Sequence, residues 1–346
     1  MISRLLLTAL LLLPLPAQAE TVARVGWCAR TLSAAAAPFA VAQKMGWFEG
    51  FKVQPVPMPG STDCVKAVAT GDLRYALPSI EPLAIIRPQG VKALNYYTAY
   101  QGNVYGIAVP EDSPVRSIAD LKGKRIGVIS MAAAGVIVAR ALVANAGMNP
   151  DTDVRIVVAG EGAQTAALLH TNQVDALSQF DTQYALVEAA GVQLRLLDTK
   201  EIARFPSNGF VALEETLKTH RAEAIALARG YAMGTVFTIA NPEAAVKILY
   251  EIYPQTKPTG KDEAKAISDD VKVIQARTRA WRLEVGGVTR WGENSLENYQ
   301  AYVDFLFKWG VIRERMAASE LVTNELIDEI NRFDAAVIAA QAKGMR

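Results

Sequence analysis

The side chains with spare chemistry are placed for binding rather than for bond-making. Ser61, Thr62 and Asp63 open a predicted helix just past a predicted strand at 51–57, where free backbone N–H groups favour an anion. Ser79 follows a predicted strand at 74–78. Ser130 and Met131 follow one at 123–129, and Gln179, Phe180 and Asp181 follow one at 174–178. Each group therefore falls at the carboxyl end of a strand, where open α/β sheets bind ligands. Arg30 and Arg204 offer guanidinium forks for a sulfonate or carboxylate. Asp63, Glu81 and Asp181 have the opposite sign and suit an ammonium or amide. Plainer roles compete throughout: helix capping for the hydroxyls, a solvated surface for the arginines. Tyr96, Tyr97, Tyr100 and Tyr105 cluster in one segment, and one or two of them could stack on a planar ligand. Alternating packing on a strand accounts for the others. Trp281 and Trp291 flank a break in the helical pattern at 283–290, where one of them could cap a pocket.

Covalent chemistry is poorly provided for. Two histidines and two cysteines cannot build a His-rich or multi-cysteine metal centre. No HExxH, GxSxG or phosphate-binding loop occurs, and Gly160-x-Gly162 lacks the third glycine of a dinucleotide fingerprint. His170 lies near a predicted helix end and His220 in a charged stretch, so neither reads as catalytic. No catalytic residue, metal or cofactor is expected. Lys plus Arg number 36 against 35 Asp plus Glu. That balance argues against a nucleic-acid partner.

The elements that position these residues come in a repeat. The 346 residues suggest about two domains. Arg4, the apolar run Leu5–Leu13 and the Ala17-Gln18-Ala19 triplet read as a secretory signal peptide cleaved after Ala19. The run is too short for a membrane anchor. Cleavage removes one charge, Arg4, and leaves a formal net charge of zero. Export would put Cys28 and Cys64 where a disulfide can form; the sequence leaves that pairing open, because the Cα separation decides it. Strands at 23–27, 51–57 and 74–78 alternate with helices from 34, 60 and 80. Strands at 123–129, 154–159 and 174–178 repeat that order with helices from 133, 162 and 182. Gly60, Ala76 and Leu77 recur 100 residues on as Gly160, Ala176 and Leu177. Alternation of this kind predicts two α/β lobes, each a mainly parallel sheet with flanking helices. The ligand cleft would lie between them. Segments 95–110 and 205–213 read as strands crossing between lobes. The expected boundaries are 20–102 and 103–207, with 208–346 returning to the first lobe. Helical spacing marks 220–240, 242–253, 261–278, 295–308 and 319–342. Gly102 and Gly209 are expected to give a hinge its backbone freedom, within 101–105 and 206–210.

Three stretches add a resemblance. AVAQKMGWFEGFKV (40–53), SIADLKGKRIGV (117–128) and NQVDAL (172–177) occur in that order, with VTNELIDEINRF (322–333) late in the chain. Together they resemble the periplasmic substrate-binding proteins of ABC importers, of the nitrate/sulfonate/taurine type, which are related to binders of thiamine-precursor pyrimidines. Asn172 stands where that family usually has Gly, a mild departure since Asn tolerates the same backbone. The resemblance implies a two-lobed, type II-like periplasmic binding protein, a monomer that closes on a small solute and delivers it to an inner-membrane permease. It also implies that the loop Thr31, Leu32 and Ser33 touches the ligand. Asn208, in the second crossing, is a further candidate for ligand contact. An enzyme relative that forms pyrimidine relies on an active-site His and a Cys-rich motif, and this sequence offers no counterpart of either. The favoured solute is a small organic anion, sulfonate- or carboxylate-like; a planar aromatic or pyrimidine solute comes second. An exported ligand sensor is the rival role.

Overall fold

The structure, a computed structural model, describes residues 21–345. The signal-peptide reading falls on residues 1–19, outside the described residues. Two five-stranded sheets organise the chain. The first takes β1 (Thr21–Trp27), β2 (Phe51–Pro57), β3 (Tyr75–Ala76), β4 (Ala93–Thr98) and, from much later, β10 (Gly209–Leu213). The second takes β5 (Ala108–Pro110), β6 (Arg125–Val128), β7 (Arg155–Val158), β8 (Ala176–Leu177) and β9 (Leu194–Leu196). The first sheet runs β2-β1-β3-β10-β4 and the second β7-β6-β8-β5-β9. In each, three parallel strands are followed by one antiparallel strand that the chain supplies as it crosses between lobes: β5 on the way out, β10 on the way back. The repeat is geometric as well. Leu77 N donates to Gly26 O at 2.9 Å, and Ser178 N donates to Gly127 O at 2.9 Å.

Helices α1 (Ala37–Lys44), α2 (Ser61–Ala69) and α3 (Glu81–Ile86) cover the first sheet, and α4 (Ala134–Asn145), α5 (Ala163–His170) and α6 (Asp181–Ala189) the second. The tail forms α7 (Glu214–Thr219), α8 (Arg221–Ala240), α9 (Pro242–Ile252), α10 (Glu263–Trp281), α11 (Leu283–Gly286), α12 (Leu296–Lys308), α13 (Ile327–Ile330) and α14 (Ala335–Lys343). The expected single helix over 319–342 is thus broken into short pieces. Val322 pairs with Asn95 beside the first sheet, which holds that stretch extended. Helix α8 packs on both α1 and α14, and its Tyr231 is in ring contact with Phe39 and Phe210, which also meet each other. Each such ring contributes roughly 1.5–3 kcal/mol on burial. Tyr96 and Tyr97 are fully buried in this core, so they are packing residues. Trp281 is buried as well and Trp291 half-buried, and neither caps the cleft. A smaller core under the second sheet gathers Ala108, Leu177, Tyr184 and Val187.

The two crossings run side by side. Ala99 N and Tyr100 N both donate to Asn208 O at 3.0 Å, and Ser207 N donates to Tyr100 O at 2.9 Å. The expected hinge glycines lie within these crossings. Neither Gly102 nor Gly209 has a positive φ. Gly209 is needed for close approach instead: a Cβ there would collide with the Asn95 side chain and stand 2.5 Å from the Tyr97 carbonyl oxygen.

Candidate functional site

A pocket opens where the carboxyl ends of β1, β3 and β8 converge. Trp27, Cys28 and Ala29 come from the end of β1, and Leu77 from the end of β3. Tyr100, Val104, Tyr105 and Asn208 come from the crossings. Phe180 and Thr182 come from the start of α6, and Arg277 from α10. Its free volume is about 30 Å³, room for one or two waters. The lobes stand closed, so any larger solute enters only if they part.

The pocket walls are aromatic. Tyr105 and Phe180 meet edge to face at 6.0 Å, and Trp27 fixes its indole by donating Nε1 to Thr31 O at 2.9 Å. Tyr105 Oη donates to Asn208 Oδ1 at 3.2 Å, while Asn208 Nδ2 donates to Leu77 O at 2.9 Å. The hydroxyl of Thr182 is buried and has no hydrogen-bond partner among the described residues. Arg277 is the one charged residue on the wall. It is 2% exposed, with its guanidinium carbon 4.0 Å from the Tyr100 ring centre. Asp181 accepts from two of its nitrogens: Nε donates to Oδ2 at 2.8 Å and to Oδ1 at 3.0 Å, and Nη2 donates to Oδ1 at 2.5 Å. Burial opposes the charge on Arg277, but the Asp181 carboxylate outweighs it and holds the guanidinium above its ordinary range. The ion pair joins the returning tail to the second lobe. Behind it lies a second cavity of about 250 Å³, lined by Asp181 and also by Val104 and Tyr105.

The remaining candidates fall into three groups. Phe180, Asn208 and Cys28 line the pocket. A second group links the lobes across the cleft mouth. Ser130 Oγ donates to Pro59 O at 2.6 Å and Thr62 N donates to Ala132 O at 3.2 Å. Arg30 N donates to Glu161 Oε1 at 3.0 Å, and the Thr31 hydroxyl donates to the same carboxylate. The third group lies off the pocket. Arg204 and Met131 are exposed, Asp63 is half-buried on α2, and Leu32 packs on the core. Ser33 caps the turn at 34–36, and Gln179 Nε2 donates to Gly160 O at 3.1 Å. Ser61 does not cap α2, whose N-cap is Gly60; its hydroxyl accepts from Ser79 N at 3.1 Å instead. Glu81 is fully buried, and burial pushes its carboxyl up against the opposing pull of the Ser79 and Tyr302 hydroxyls. Cys28 and Cys64 are joined in a disulfide, with Cα atoms 5.9 Å apart. His170 and His220 are both exposed.

Sequence reasoning missed Arg277, Trp27 and Thr182. Arg277 did leave a signal. It sits among Val273, Ile274, Ala280 and Trp281 on the buried stripe of α10, where a cation needs a partner.

The model of the NMT1/THI5-like family matches residues 33–245, more than half of the chain. The chain belongs to that family. This accords with the resemblance carried by 40–53, 117–128 and 172–177. Among relatives of this NMT1/THI5-like chain is the riboflavin-binding protein RibY of Chloroflexus aurantiacus. It is 21% identical over 296 residues, covering 84% of this chain and 82% of RibY. Two solved structures share the fold. A protein of Bordetella bronchiseptica RB50 is 18% identical with a TM-score of 0.70, covering 90% of this chain and 97% of that one. The alkanesulfonate-binding protein SsuA of Xanthomonas axonopodis pv. citri, bound to MOPS, is 17% identical with a TM-score of 0.62, covering 88% and 99%. The fold is that of two-lobed periplasmic binding proteins. No helix among the described residues is long and apolar enough to cross a membrane, and none of their His, Cys, Asp and Glu side chains form a group of three that could hold a metal.

Proposed function

We propose that the chain is the solute-binding component of an ABC importer, a monomer exported to the periplasm. It would capture a small molecule between its lobes and present the closed form to a membrane permease. The lobes are 20–102 with 208–346, and 103–207, turning about 101–105 and 206–210. Closure is a population shift, driven by contacts that both lobes make only when shut. No covalent step is assigned.

The observation that carries this reading is the pocket between the lobes, walled by Trp27, Tyr100, Tyr105 and Phe180. Those rings favour a flat aromatic solute held face-on or edge-on. Thr182 Oγ1 supplies a polar handle and Arg277 brings no free charge. The name of the RibY relative points the same way. A second reading, a small organic anion, is favoured by the ligand in the SsuA structure.

Thermal unfolding of the chain from Glu20 against a solute panel tests both. The panel holds riboflavin, aminopyrimidines, aromatic carboxylates, alkanesulfonates, taurine and nitrate. A ligand at about 1,000 times its Kd stabilises by about 4 kcal/mol, a rise of several degrees in Tm. A rise with the aromatic solutes is expected. A rise confined to taurine, alkanesulfonates or nitrate favours the anion reading, and a flat response across the panel removes both solute classes.

A further inference from the structure

We propose that Asp181 sets the charge preference of the cleft: by occupying the Arg277 guanidinium it turns the only cation on the pocket wall into a neutral pair, so that uncharged solutes are admitted and anions are rejected. The proposal rests on the cleft being the solute site and deepens that reading.

The geometry takes the better edge of the guanidinium away from an anion. A guanidinium has five N–H donors in a fixed fork. Asp181 engages the Nε and Nη2 edge, the one best shaped for a sulfonate or carboxylate. The Tyr100 ring covers the guanidinium. Asp181 is itself held in place. Its Oδ1 accepts from Thr182 N at 2.7 Å, its own N–H donates to Val104 O at 3.0 Å, and it stands in the first turn of α6, where the helix dipole favours a negative charge. An anion reaching for that edge of Arg277 would have to displace this half-buried carboxylate and sit beside a second negative charge. It would also break a bond between the tail and the second lobe, so capture of the anion would work against closure. A neutral aromatic solute leaves the pair intact and closure undisturbed.

Two probes of nearly equal shape separate charge from size: benzenesulfonate and benzenesulfonamide, titrated by calorimetry at fixed ionic strength. The wild-type chain is expected to prefer the sulfonamide by tenfold or more. Asp181→Asn is expected to gain tenfold or more for the sulfonate and reverse that order. The double variant Asp181→Asn/Arg277→Gln, which leaves an uncharged amide at both positions, is expected to lose the gain. Three results overturn the proposal: a wild type that binds the sulfonate as well as the sulfonamide, an Asp181→Asn chain with unchanged sulfonate affinity, or a double variant that retains the gain. If Asp181→Asn does not fold, the wild-type ratio still decides. A wild type that binds neither probe, beside an Asp181→Asn chain that gains the sulfonate, would count against the aromatic reading while upholding the role of Asp181.

Discussion

Gly60 of the first lobe lies against the backbone of Ala132 in the second. A Cβ built on Gly60 would collide with the Ala132 carbonyl oxygen and stand 2.6 Å from Ala133 N. The neighbouring bonds from Ser130 Oγ to Pro59 O and from Thr62 N to Ala132 O depend on the same approach. The φ of Gly60 is 170°, extended backbone open to any residue, so the glycine is there for contact and not for conformation. Gly60→Ala is therefore expected to fold normally and to hold the lobes apart. Small-angle scattering would show a larger radius of gyration for the variant than for the wild type, and solute affinity should fall by tenfold or more, about 1.4 kcal/mol. A variant as compact as the wild type would show that the lobes close by another route.

The Cys28–Cys64 bridge ties the end of β1 to α2 across 36 positions of sequence. Closing a loop of that length stabilises by roughly 3–4 kcal/mol on the chain-entropy account. Cys64 is fully buried and Cys28 touches the pocket, so the bridge also fixes the end of β1, with Trp27, and Ala29 after it. Replacing both cysteines by Ser is expected to lower Tm by several degrees and to weaken solute binding. Alkylation of the native, unreduced protein followed by intact-mass measurement should find no free thiol; labelling of both cysteines would refute the bridge.

Glu81 gives a pH dependence whose sign follows from its burial. Its carboxyl is raised above the ordinary range, chiefly because no water reaches it. A raised carboxyl binds its proton more tightly in the folded chain than in the unfolded one. Its contribution is complete below the unfolded value, about 4.3, and is lost as the pH rises through the folded one. Glu81→Gln removes that loss while keeping a partner for Tyr302. Thermal unfolding from pH 4 to 8 is expected to show the variant gaining on the wild type as the pH rises. Parallel curves for the two proteins would contradict the assignment.

Much of the fold was legible because local rules govern it. The alternation of short apolar runs with helical spacing, each helix closed by a glycine such as Gly71 or by Asn172 in the left-handed region, is written residue by residue. So are the two units about 100 residues apart, and they dictate two parallel-sheeted lobes with ligand contacts at the strand ends. Phe180 and Asp181 could be marked for the same reason, since position after a strand is a property of the sequence. The tertiary structure alone decided what those residues do. Asp181, read as a partner for a ligand cation, is taken by Arg277, which lies 96 residues further on in a tail helix. Ser130 and Thr62 spend their bonds on the facing lobe rather than on the pocket wall. Gly209 also serves a close approach to Asn95 and Tyr97. Each of these outcomes depends on a contact between segments far apart in the chain, and no local pattern encodes which distant group will arrive to make it.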